Sequence, residues 1–399
     1  MLLLWLLATL ALAADTSWYA VPNVAYDSDD GLGFGARFEH ARLDPALSPY
    51  QRAWMVHSFA SLRGYQHHRV RFDRLGLGAD GRTRLTVNLS YRQWANDGYW
   101  GIGNGTLREQ AFVEDADGGA LDAEDPARKR YRYQLIQPFA QVALRRQVTE
   151  GGPLYAYVAL NPKLSVVKTY DGSLLAEQQP YGMDGGFVPQ LLFGIQHDTR
   201  SPEVCPSDGA LLELGGRLAP WGTGQAGGFG GLFLSARGFQ ALGTPRLVLA
   251  GRLMAEALWG SVPFYEMVHW GGATPVQGVG GFETLRGVSF GRWRAPGKAI
   301  ANAELRARVL DGDAGKVHLG LELAPYVDAG AVFFAGDQAT AAAPEHPIHP
   351  AAGLGTRLVL DETFVGRVDV GWGVDPVETD QGVESRKTMG IYVVFDHPF

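Results

Sequence analysis

Long segments in which apolar and polar side chains alternate with period two recur along nearly the whole chain, and this constrains the fold more than any other feature. In TRLTVNLSYRQ, Leu85, Val87, Leu89 and Tyr91 take one face, and Arg84, Thr86, Asn88, Ser90 and Arg92 take the other. That is the pattern of extended backbone with two different environments on its two sides. In KAIANAELRARVL, Ala299, Ala301, Ala303, Leu305, Ala307 and Val309 oppose Lys298, Asn302, Glu304, Arg306 and Arg308. FVGRVDVGW sets Phe364, Val368, Val370 and Trp372 against Arg367 and Asp369, and KVHLGLELAPYVD sets Val317, Leu319, Leu321 and Leu323 against Lys316, His318, Glu322 and Asp328.

A soluble β-sandwich also alternates, so the pattern alone does not decide. Length does more: many segments run for about 9 to 13 residues, longer than an ordinary globular strand and suited to a tilted membrane crossing. Aromatic residues recur near segment ends, at Trp18, Tyr19, Trp94, Trp100, Tyr131, Tyr133, Trp221, Trp259, Trp270, Tyr326, Trp372 and Tyr392. Such placement is expected of interfacial girdles. After the N-terminus no segment approaches ~18 consecutive apolar residues, which excludes a bundle of membrane helices.

The N-terminal run Leu2 to Ala14 ends in a small-x-small site, Ala11 to Ala13. We read residues 1–13 as an export signal and 14–399 as one barrel domain, with strand-like sequence beginning at about Trp18. A short anchor is the alternative, although the run is well under the ~20 residues of a membrane helix. The single cysteine, Cys205, excludes an internal disulfide, so an exported chain of this size must be held by backbone pairing and packing, as a closed barrel is. The 53 glycines among 399 residues are roughly twice the ~7% of an ordinary chain and fit many tight turns. A net charge of −7 gives no footprint for nucleic acid.

Candidate strands fall near residues 18–27, 32–42, 51–62, 67–77, 83–94, 131–148, 154–168, 187–198, 208–219, 229–241, 246–258, 298–310, 316–330, 351–360, 363–374 and 386–399. The fold class is therefore all-β, a transmembrane antiparallel barrel of about 16 strands, with 14 or 18 open. Short turns alternate with long connections such as residues 95–130. The closing segment GIYVVFDHPF places Ile391, Val393, Phe395, His397 and Phe399 on one strand face, with Phe395 and Phe399 as its aromatic closing residues.

The segment VPFYEMVHWGGATPVQGVGGFETLRGVSFGRWRAPGKAIANAELR resembles the C-terminal barrel region of the bacterial surface antigen superfamily, the outer-membrane assembly and translocation proteins that include BamA and TamA. NVAYDSDDGLGFGARF, IQHDTRSPEVCPSDGALLEL, APYVDAGAVF and GLGTRL are similar to further elements of that family, in the same order. The resemblance implies a loop folded into the lumen whose tip carries Leu285, Arg286 and Gly287, with Val288 where an aromatic residue is usual. It implies Asp328 as a wall partner of Arg286. Glu304, on the inward face of its own segment, is our second candidate, since a guanidinium inside a barrel needs carboxylates and its planar fork suits a bidentate pair. The family's periplasmic POTRA domains have no counterpart in these residues.

Enzyme readings find little support. GVSFG fits G-x-S-x-G around Ser289, but a nucleophile elbow needs a strand-to-helix turn in an α/β sheet. His67, His68, His346 and His349 lack a ligand set, GGFGG lacks a following helix, and the acidic residues 114–126 lack EF-hand spacing. We therefore expect a non-enzymatic outer-membrane barrel with no metal or cofactor, taking part in inserting or transporting protein or lipid. Expected partners are outer-membrane lipid and either client outer-membrane proteins or a periplasmic partner. A passive pore or structural surface antigen is the alternative.

Overall fold

The computed structural model describes residues 8–9, 16–27, 31–44, 46–113, 121, 125–203, 205–274, 276–314, 317–340, 347–360, 364–395 and 397–399. Sixteen long strands cross the molecule: β1 (Thr16–Asp27), β2 (Gly31–Asp44), β3 (Leu47–Ser61), β4 (Gln66–Leu77), β5 (Thr83–Gly98), β6 (Arg132–Gln147), β7 (Leu154–Thr169) and β8 (Gly186–Asp198). They continue as β9 (Gly209–Ala219), β10 (Phe229–Ala241), β11 (Leu247–Gly260), β12 (Gly297–Ala314), β13 (Val317–Phe333), β14 (His349–Leu360), β15 (Phe364–Thr379) and β16 (Gly382–Phe395). Two short segments complete the sheet: Ala8–Thr9 pairs with β1, and Arg108–Glu109 lies parallel to Val377 and Glu378 of β15.

Each long strand pairs antiparallel with the next, from β1 through to β16. The first and last strands meet side by side, more sparsely than any other neighbouring pair, and among the described residues no run of registered partners joins them. Among the described residues this is the most thinly joined line between long neighbouring strands. A strand edge without full pairing carries free N–H and C=O groups, which makes it the weakest line of the wall.

Alternation sets the two faces as expected. Along β5, Leu89 points outward at 52% exposure while Asn88 and Ser90 are buried inside. Along β13, Leu323 and Val327 are exposed outside and Glu322 and Asp328 are buried inside. The outside is an apolar surface that would face lipid, and the inside is filled with charge.

Two expectations are corrected here. Of the aromatics assigned to girdles, Trp221, Trp259 and Trp372 are exposed, but Trp94, Trp100, Tyr131, Tyr133, Trp270 and Tyr326 are buried. Tyr133, for example, meets Phe264 of the inward loop edge-on at 5.3 Å. The closing strand also stops at Phe395, which pairs with Gly366, and does not reach Phe399. Once the chain leaves the ladder its alternation lapses, and Phe399 turns inward onto Phe239, Val248 and Ala250. Arg252 and Arg306 stand 5.0 and 5.3 Å from its ring centroid, cationic contacts that a lipid-facing position does not offer.

Candidate functional site

Residues 261–296, between β11 and β12, fold into the lumen, Pro275 lying outside the described residues. The segment has almost no regular structure, so its path is set by what its side chains bind. Leu285 is fully buried in a cluster with Met254, Trp270, Val279, Val288, Trp293 and Ile300. Burial of this apolar set seats the loop, and ions orient it.

Arg286 is the centre of the polar contacts. Its Nε and Nη2 donate to the two carboxylate oxygens of Asp328, each at 2.9 Å, and its backbone N–H donates to Asp328 Oδ2 at 3.1 Å. Its Nη1 donates to Glu304 Oε1 at 2.5 Å and lies 3.4 Å from Asp369 Oδ2. The guanidinium also lies 3.4 Å from the Tyr326 ring centroid. The structure therefore brings Arg286, Asp328 and Glu304 together.

Asp369, Arg306, Arg357 and Arg367 join them in one network. Arg306 donates to Glu304 at 3.0 Å; Arg357 bridges Glu304 at 3.1 Å and Asp369 at 2.6 Å; Arg367 holds Asp369 at 2.5 Å. Four buried arginines thus share three buried carboxylates. In so dry a place each charge depends on its partners for solvation, and removing one leaves the others exposed to the full desolvation cost.

Gly287 makes the close approach possible. Its φ is +102°, and a Cβ there would stand 2.6 Å from the backbone of Gly371 and Trp372 in β15, so the left-handed turn and the contact both demand glycine. Its N–H donates to Tyr392 Oη at 3.0 Å, and Thr388 Oγ1 donates to its carbonyl at 2.6 Å. Tyr392 and Thr388 belong to β16, so the loop tip is tied to the strand beside the seam. Phe395 is the last residue of that strand, whereas Phe399 is outside it.

Two further clusters fix the rest of the loop. Glu266 faces Lys163 of β7 at 2.9 Å and Arg217 of β9 at 3.2 Å, and Glu256 of β11 binds Arg217 and Lys298 at 3.0 and 2.6 Å. Burial alone would push the Glu266 carboxyl up, but the facing Lys163 and Arg217 cations bring it down to about 2. Arg292 binds Asp375 of β15 at 2.7 Å and the Thr106 carbonyl at 2.7 Å. Arg294 donates to the Gly98 carbonyl, so GYWGIGNGT closes over the loop. Sequence reasoning reaches Asp328 and Glu304 but misses these anchors; the signal was present in the charged residues at inward positions, such as Arg217, Glu256 and Lys298.

The remaining candidates are placed apart from this site. His67 and His68 face opposite sides of the wall: His67 Nε2 accepts from Arg92 at 3.3 Å, and His68 Nδ1 meets Ser58 Oγ at 2.8 Å. His349 stacks on Trp293 at 3.6 Å, and His346 lies outside the described residues, as do most of residues 114–126. Among the described residues no group of three or more His, Cys, Asp or Glu is placed to hold a metal ion.

No family model and no curated protein matches the sequence. Solved structures match the fold along almost its whole length. BamA from Haemophilus ducreyi lacking POTRA domains 1–3 is 14% identical, with a TM-score of 0.56, the match covering 98% of this chain and 75% of that one. The fold is that of a BamA-like barrel. CdiB from Escherichia coli is 12% identical with a TM-score of 0.55, and CdiB from Acinetobacter baumannii is 15% identical with a TM-score of 0.51. Each CdiB match covers 96% of this chain, which spans 63% and 60% of the respective CdiB chains. At these identities the BamA-like likeness is one of architecture, and activity must be argued from the residues.

Proposed function

We propose that this chain is an outer-membrane barrel that takes part in inserting or moving protein or lipid at that membrane, with the β1–β16 seam as its working edge. In this reading residues 1–13 are an export signal and residues 14–399 the barrel, whose partners are outer-membrane lipid and either client outer-membrane proteins or a periplasmic protein. The single observation that carries it is the seam itself: sparse contact between β1 and β16, beside a loop whose tip is bonded to β16. Unpaired edge groups can template an incoming strand, because main-chain hydrogen bonds supply affinity without demanding a particular sequence. The mechanism needs no bond-making chemistry, and the ion network braces β12 to β15, on one side of the seam, while the seam yields.

Reconstitution of the purified mature chain into liposomes, with the folding rate of an added outer-membrane protein as the readout, tests this reading. Client folding faster than in empty liposomes of the same lipid is the expected result. An unchanged rate in liposomes that hold correctly folded barrel contradicts it and leaves a passive or structural role.

A further inference from the structure

On the outside of the barrel, the wall made by β2, β3 and β4 changes character in regular rows. Phe38, Val56 and Val70 are ladder partners that point outward and are exposed. One row nearer the short connections 45–46 and 78–82 stand His40, Trp54 and Phe72, paired in the same order, with the Trp54 and Phe72 ring centroids 4.5 Å apart. One row further come Arg42, Arg52 and Arg74, again consecutive partners and all exposed. The long connections, residues 99–131, 170–185, 261–296 and 334–348, leave the opposite end, and in outer-membrane barrels the short turns face the periplasm. From mid-membrane towards the periplasm the rows therefore run apolar, aromatic, cationic, which puts the three guanidinium groups at headgroup depth.

These arginines differ from others at the same end. Arg82 and Arg146 share Asp80 at 2.8 and 2.5 Å, and Arg246 holds Asp311 at 3.1 Å. Among the described residues no carboxylate pairs with Arg42, Arg52 or Arg74. Asp44, on the adjoining turn, accepts from the Ala46 N–H at 3.0 Å and the Gln51 amide at 3.3 Å. Glu39 and Asp73 lie on the inner face, with Arg37 and Arg84. Like charges on directly opposed strand positions repel, so a row of three costs stability that an anion placed among them restores.

We propose that Arg42, Arg52 and Arg74 bind the phosphate headgroup of an anionic phospholipid in the periplasmic leaflet, with its acyl chains lying along Trp54, Phe72, Val56 and Val70. Each planar guanidinium can meet two phosphate oxygens at once, and the aromatic row marks the interface at which such a headgroup sits. The site requires that this wall face lipid and is independent of whether the seam admits a client.

Native mass spectrometry of the full chain in detergent, titrated with phosphatidylglycerol, tests it. Phosphatidylglycerol should be retained in preference to phosphatidylcholine of the same acyl chains, and an excess of inorganic phosphate should not release it. At about fivefold per basic residue, Arg52→Gln should weaken retention about fivefold, and Arg42→Gln, Arg52→Gln and Arg74→Gln together about a hundredfold. Heat-dependent gel migration checks that each variant is folded. Arg246→Gln, which removes one paired charge from the same end, should leave retention where it was. Equal retention of the two lipids, release by inorganic phosphate, undiminished retention by the folded triple variant, or a loss from Arg246→Gln as large as that from Arg52→Gln would each overturn the proposal.

Discussion

Replacing Arg286 by alanine is expected to lower sharply the temperature at which the folded barrel unfolds in detergent gels. The guanidinium is 1% exposed and binds Asp328 through two of its nitrogens. Without the guanidinium Asp328 keeps two neutral donors, the Asn302 amide at 2.7 Å and the backbone N–H of residue 286 at 3.1 Å, while Glu304 and Asp369 retain Arg306, Arg357 and Arg367. The cost therefore falls mainly on one stranded carboxylate and is roughly 3–5 kcal/mol, the range for breaking a buried ion pair. Arg286→Lys should recover only part of it, since an ammonium cannot span both oxygens. Adding Asp328→Asn to Arg286→Ala should cost less than the two single changes summed, because they share one interaction. An unchanged unfolding transition for Arg286→Ala would mean that the network does not hold the loop.

Locking the seam is the second change with a large expected effect. In a Cys205→Ser background, one cysteine in Thr16–Asp27 and a facing one in Gly382–Phe395 would join β1 to β16 when oxidised. The barrel should stay folded, since every other neighbouring pair is already laddered, and any acceleration of client folding should be abolished. Reduction of the disulfide should restore it. Activity retained by the oxidised protein would remove the seam from the mechanism and move attention to the rim.

How far the sequence could be read follows from what period-two alternation encodes. It assigns faces, so the inward positions of Asn88, Glu304, Asp328 and Asp369 and the outward positions of Leu89 and Leu323 were legible before any coordinates. It does not assign partners across the lumen. Asp328 was reachable through resemblance and Glu304 through its face, whereas Asp369, Arg357 and Arg217 could be placed inside but not paired. Alternation also fails where the ladder ends: Phe399 keeps the parity of Ile391 but leaves the strand and packs under Arg252. The aromatics misled for a related reason, because Trp94 and Tyr133 sit at strand ends where a girdle would lie, yet face a loop segment that has no period of its own.

Hydrogen–deuterium exchange of the barrel reconstituted in lipid tests the weak seam most directly. Amides of β1 and β16 should exchange well ahead of those in β12 to β15, which are laddered on both sides and braced by the Arg286 network, because local opening follows the least-paired edge. Equal protection of β1, β16 and the central strands would contradict a seam that yields.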